Sequence, residues 1–125
     1  MFRTILLIGA GSLVGGIARY LLSRAIQTGA GSGFPWGTFV VNVTGCLIIG
    51  IMYGLFEKET VMNPDTRLFL TVGLCGGFTT FSTFIHENYN LFTSGNFLQS
   101  GIYSVSSFAL GLCAAYLGHY IVKIL

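Results

Sequence analysis

The run Gly73-Leu74-Cys75-Gly76-Gly77-Phe78-Thr79-Thr80-Phe81-Ser82-Thr83-Phe84 gathers paired glycines, four hydroxyls and three phenylalanines near the centre of one hydrophobic segment. Adjacent Gly76 and Gly77, followed by the β-branched pair Thr79-Thr80, weaken a helix where lipid would otherwise enforce one. Broken backbone at membrane depth is tolerated only under a cover of protein or water, and it frees carbonyl oxygens that can hold an ion. Phe81 and Phe84, spaced i, i+3, share a helix face. Phenylalanine ordinarily signals core or lipid contact, and Phe78 reads that way. Two rings presented edge-on, however, offer an anion a positive rim without fixing it in place. The stretch therefore reads as a pore or binding centre.

Other polar groups lie deep in apolar sequence. Arg19 stands about seven residues before the end of the first segment and Asn42 about six after Trp36, so both lie roughly 10 Å inside at 1.5 Å per residue. A charge at that depth faces a cavity or partner by default. Arg19 could instead snorkel to the headgroups, but the distance is awkward and a vestibule role is preferred. Asn42 brings two amide N–H donors to a place where an unsatisfied amide is costly. Glu87 reads equally as a counter-ion or pore-mouth group and as a snorkelling surface residue. Tyr103 and Ser107 stand at i, i+4 on one face; bonding to neighbouring carbonyls explains that pair equally well. His86 and His119 are isolated near segment ends, and neither reads as a metal ligand. Guanidinium, amide, hydroxyls and ring edges make a donor lining, which suits an anion. A cation path would more naturally show several deep carboxylates.

The elements that must hold these groups follow from composition. Hydrophobic residues make up 53% of the 125 and charged residues only 8%, against roughly 25% charged in a soluble domain. This is an integral membrane protein of one domain, residues 1–125. Its net charge of +2 is too small and scattered for a nucleic-acid partner. Four segments can each cross a hydrocarbon core, which takes about 20 helical residues. They run from about Thr4 to Ile26, Phe34 to Phe56, Thr66 to Phe92 and Phe97 to Ile124. The loops between them are Thr28 to Gly33, Glu57 to Asp65 (with Asn63 or Asp65 as a helix cap) and Thr93 to Asn96. Links this short force up-down-up-down neighbours. Arg3 precedes an apolar stretch as in a signal peptide, but the pattern runs on past Gly16 without a small-residue cleavage site, so a retained span is expected.

Small residues recur at helix-packing spacing: Gly11 with Gly15, Gly50 with Gly54, Gly73 with Gly77. They permit close backbone approach, and close packing alone explains the first two pairs. Arg3, Lys58, Arg67 and Lys123 fall on one side, Arg19 and Arg24 toward the other. That bias is modest and permits insertion in both orientations. Gly9 to Gly15 mimics a dinucleotide loop with the wrong spacing and no acidic residue about 20 positions on. Cys46, Cys75 and Cys113 read as small buried hydrophobes.

Three stretches, Gly15 to Tyr20, Gly37 to Gly45 and Gly76 to Phe84, resemble the Fluc (CrcB) fluoride channels of bacteria. The likeness extends over the whole chain in length and span count. It implies a passive channel, not an enzyme, that exports fluoride from the cytoplasm across the inner (cytoplasmic) membrane. The implied assembly is an antiparallel, dual-topology homodimer of all-α subunits with a broken third helix and two pores. The resemblance places Phe81 and Phe84 in a phenylalanine box and Asn42 in the pore. It places Arg19 in the vestibule and Ser82, Thr83, Tyr103 and Ser107 along a polar track. It also implies a central Na+ held by the backbone carbonyls of Gly76 and Thr79 from each subunit. A small multidrug-type, proton-coupled antiporter is the rival reading. That machinery needs a deep exchanging carboxylate, for which Glu87 is the one candidate.

Overall fold

The computed structural model describes residues 1–30, 33–58 and 63–125, and the regular structure among them is all helical, without strands. Parts of the first two predicted loops, residues 31–32 and 59–62, lie outside the described residues. Helix α1 covers Phe2–Ala30 and α2 covers Trp36–Glu57. The third crossing is assembled from α3 (Pro64–Leu68), a π-helical segment (Phe69–Cys75), α4 (Gly76–Phe78) and α5 (Ser82–Thr93). Helix α6 closes the chain over Phe97–Ile124. Four stretches, Phe2–Ala30, Trp36–Glu57, Pro64–Thr93 and Phe97–Ile124, are long and apolar enough to cross a membrane.

Local chemistry explains the ends. Asn63 caps α3, its side-chain oxygen accepting the Thr66 N–H at 2.8 Å, with Pro64 at the first helical position. Asp65 lies inside the helix and does not cap it. Gly95 ends α5 with φ at 84°, the left-handed residue of a Schellman turn. Asn96 N–H closes onto Leu91 O at 2.8 Å and Gly95 N–H onto Phe92 O at 3.1 Å. Contrary to the loop expected from Thr28, α1 continues to Ala30. The Thr28 hydroxyl bonds back to Arg24 O at 2.7 Å, so the residue is satisfied inside the helix.

Contacts at the two ends confirm alternating directions. At one end Arg3 pairs with Asp65, His119 Nε2 meets Glu57 Oε2 at 2.6 Å, and the Arg67 guanidinium lies 4.2 Å over the Phe56 ring. At the other, Gln27 donates to Phe34 O and accepts from Gly37 N–H, both at 3.0 Å. The fully buried side chains are few, Tyr103 and Val41 the largest, while most large apolar residues face outward, as lipid permits.

Glycines set the spacing of the crossings, and here the Gly73–Gly77 pair packs just as the other two do. A Cβ on Gly11 would stand 2.6 Å from Phe69 O, and one on Gly77 2.7 Å from Ser12 O. Gly50 lies against the Ala115 backbone and Gly118 against Leu47 O. Gly50→Val is therefore expected to cost about 2–3 kcal/mol by forcing α2 from α6. Thermal denaturation in detergent measures it. Gly9→Ala, with open space at Cβ, is the neutral control.

Candidate functional site

Helical backbone stops at Phe78 and resumes at Ser82, with Thr79 extended at φ −92°, ψ 158°. The backbone groups released there have identifiable partners. The Thr80 N–H, which a continuing helix would give to Gly76 O, goes to Asn42 Oδ1 at 2.8 Å. Asn42 Nδ2 in turn donates to Thr80 O at 2.9 Å, so one carboxamide holds both backbone polar groups of Thr80 and splints two consecutive peptide units. The Thr83 N–H, which would otherwise reach Thr79 O, goes to Thr80 Oγ1 at 3.2 Å. Arg19 Nε donates to Gly77 O at 3.1 Å. Thus the Gly77 carbonyl is answered by a guanidinium, while those of Gly76 and Thr79 have lost their helical donors. They are hard oxygen ligands of the kind an alkali cation takes.

The predicted residues fall into two adjoining spaces. One is an open apolar groove of about 590 Å³ whose lining includes Asn42, Gly76, Thr79, Phe81, Phe84 and Ser107. Phe81 is 73% exposed, its ring centroid 6.0 Å from that of Phe84. The rings of Phe84 and Tyr103 lie 4.8 Å apart. The Ser107 hydroxyl is buried without a hydrogen-bond partner among the described residues. The second space, about 430 Å³, is lined by Arg19, Arg24, Thr38, Thr80, Thr83 and Glu87 among others. Ser82 is exposed on the first turn of α5 and lines neither space.

The second space holds a hydroxyl-clasped carboxylate. Tyr103 O–H donates to Glu87 Oε1 at 2.9 Å and Thr38 Oγ1–H to Glu87 Oε2 at 3.0 Å. The counter-ion pairing of Glu87 with Arg19 is not formed: both line one cavity, but Arg19 is turned to the Gly77 carbonyl. Thr38 was not singled out in the sequence. Its spacing of i, i+4 to Asn42 on α2 is the signal that could have found it. Nor does the sequence single out the Thr80 hydroxyl as the acceptor of the Thr83 N–H at the start of α5.

Four apolar crossings around a polar centre define a multi-pass membrane protein. Residues 6–119 match the family described as CrcB-like protein, Camphor Resistance (CrcB), and the chain belongs to that family. Among its relatives is a fluoride-specific ion channel FluC of Phocaeicola vulgatus, 45% identical over 93% of this chain and 95% of the relative. Proteins of the same name from Chlorobaculum tepidum (40% identical; 99% and 98% covered) and Flavobacterium psychrophilum (42%; 97% and 98%) are similar throughout.

Proposed function

We propose that this chain is a fluoride channel, working without catalysis as an antiparallel homodimer of the bacterial inner membrane. Kinship with proteins named fluoride-specific ion channels supports the substrate and counts against the antiporter reading. The observation that carries the mechanism is the interruption at Thr79–Phe81 and its splinting by Asn42. Non-helical backbone facing an open groove is untenable against lipid. A second copy, inverted about a two-fold axis, would cover it with its own interruption. Short links and a weak charge bias allow that inverted insertion.

In this arrangement the groove becomes the pore wall. Phe81 and Phe84 offer ring edges, Ser107 a free hydroxyl, and Asn42 a second amide hydrogen beyond the one given to Thr80. Arg19 and Thr83 line the approach, attracting the anion by charge without a trap of several cations. Two carbonyls from each copy, Gly76 and Thr79, would hold Na+ at the axis, supplying fixed positive charge and joining the subunits. Fluoride then leaves the cytoplasm down its gradient.

Liposomes loaded with fluoride and reconstituted with the purified chain test this. Fluoride efflux recorded by electrode, with chloride retained, is expected. Proton-coupled drug exchange without fluoride efflux would restore the antiporter instead.

A further inference from the structure

Helix α5 carries Phe84, yet its continuity with α4 is lost at Thr79–Phe81. No unbroken ladder transmits the orientation of the first half of the crossing to the second. The Gly95 turn fixes where α5 ends but not how it is rolled about its axis. Side-chain contacts must do that, and α5 buries only two residues, Asn88 and Leu91.

Asn88 is the polar one, 8% exposed, and its carboxamide makes three hydrogen bonds. Its oxygen accepts from Ser100 Oγ at 2.7 Å and from Ser104 Oγ at 3.0 Å, two hydroxyls one turn apart on α6. Its Nδ2 donates to the Phe84 carbonyl at 3.0 Å. Ser100 is 2% exposed, so the cluster is shielded, and such bonds are directional where the alternative is a stranded polar group. An apolar residue at 88 could bury as well but would accept many rolls of the helix. A carboxamide gripped by two hydroxyls accepts few. Asn88 and Phe84 stand i, i+4 on the same face, so a roll at one is a roll at the other.

We infer that Asn88 is a positioning residue: by locking onto Ser100 and Ser104 it sets the roll of α5, and so aims the Phe84 ring into the groove against Tyr103. The consequence for conduction rests on the fluoride-channel reading; the aiming of the ring does not. Leu91 seals the helix against α6 without specifying its angle; Asn88 shares that task with Glu87, one residue before it, which Tyr103 and Thr38 hold.

The full chain in liposomes tests the inference. Asn88→Leu keeps the branching at Cγ and removes all three hydrogen bonds. It is expected to remain folded by size-exclusion chromatography while fluoride efflux falls about tenfold. Ser100→Ala/Ser104→Ala leaves the bond to the Phe84 carbonyl, and the same direction of change is expected. If Asn88→Leu fails to fold, the Phe84 resonance of this double variant decides the matter, since Ser104 also lines the groove and its loss lowers efflux by itself. The second readout is fluorine NMR of protein grown with fluorophenylalanine, the Phe84 resonance being identified by its absence in Phe84→Leu. That resonance should shift or broaden in both variants while the Phe56 resonance, at the far end, stays. Parental efflux together with an unmoved Phe84 resonance overturns the inference. A parent that passes no fluoride, with the Phe84 resonance still displaced by the variants, defeats the channel reading and upholds the positioning role.

Discussion

Phe84→Ile is expected to suppress fluoride efflux by about two orders of magnitude, the rate factor of roughly 2.7 kcal/mol, while the protein stays folded. Isoleucine is apolar and fills much of the same space against Tyr103, whose ring lies 4.8 Å from that of Phe84. What it lacks is the positive ring edge. Once a second copy covers the open groove, that edge would replace part of the anion's lost water, and it would count for more there than in bulk solvent. Phe81→Ile should behave alike with less risk to the fold, since Phe81 is 73% exposed in the single chain and its removal opens little core. Efflux from liposomes, paired with size-exclusion profiles, separates conduction from folding. Full conduction by both variants would remove any role for the ring edges and leave the hydroxyls and Asn42 as the sole donors.

How far the sequence could carry this reading depended on whether the governing force was local. Burial in lipid demands long apolar stretches, and the fourth span was placed from Phe97 to Ile124, the limits α6 has. The cap of α3 was legible only as one of two residues, Asn63 or Asp65, because both side chains suit that position; the bond to the Thr66 N–H selects Asn63. The π-helical segment Phe69–Cys75 was not legible. It lies where Gly11 and Gly73 bring two backbones together, a tertiary contact with no signature in either segment alone. The same limit applied to the polar centre. Depth marked Arg19, Asn42 and Glu87 as important, but depth does not name partners. Arg19 answers a carbonyl freed by the helix interruption, and Glu87 is held by Thr38 and Tyr103. Asn88 carries no local signal of its role, because its partners lie twelve and sixteen positions on.

Asn42 is where fold and conduction meet, so its substitutions should have the widest effect. With aspartate at 42 one oxygen can still accept the Thr80 N–H, now bonded at 2.8 Å. The other would face the Thr80 carbonyl oxygen, which at present receives the amide N–H at 2.9 Å. Two oxygens opposed at that range repel, and a carboxylate would stand beside the path of an anion. Asn42→Asp is thus expected to lower fluoride efflux by at least about a hundredfold and to destabilise the fold by about 1–3 kcal/mol, the cost of a buried polar group left without its partner. Asn42→Leu separates the two contributions. It brings no charge, but it releases the Thr80 N–H, whose partner in a continuous helix would be the Gly76 carbonyl one turn back. Closing that bond would mend the helix and withdraw one of the two carbonyls proposed for Na+. Efflux measured with sodium and with a large organic cation should therefore differ in the parent and not in Asn42→Leu. Equal sodium dependence in both would detach Asn42 from the cation site, and greater fluoride flux through Asn42→Asp would exclude it from the anion path.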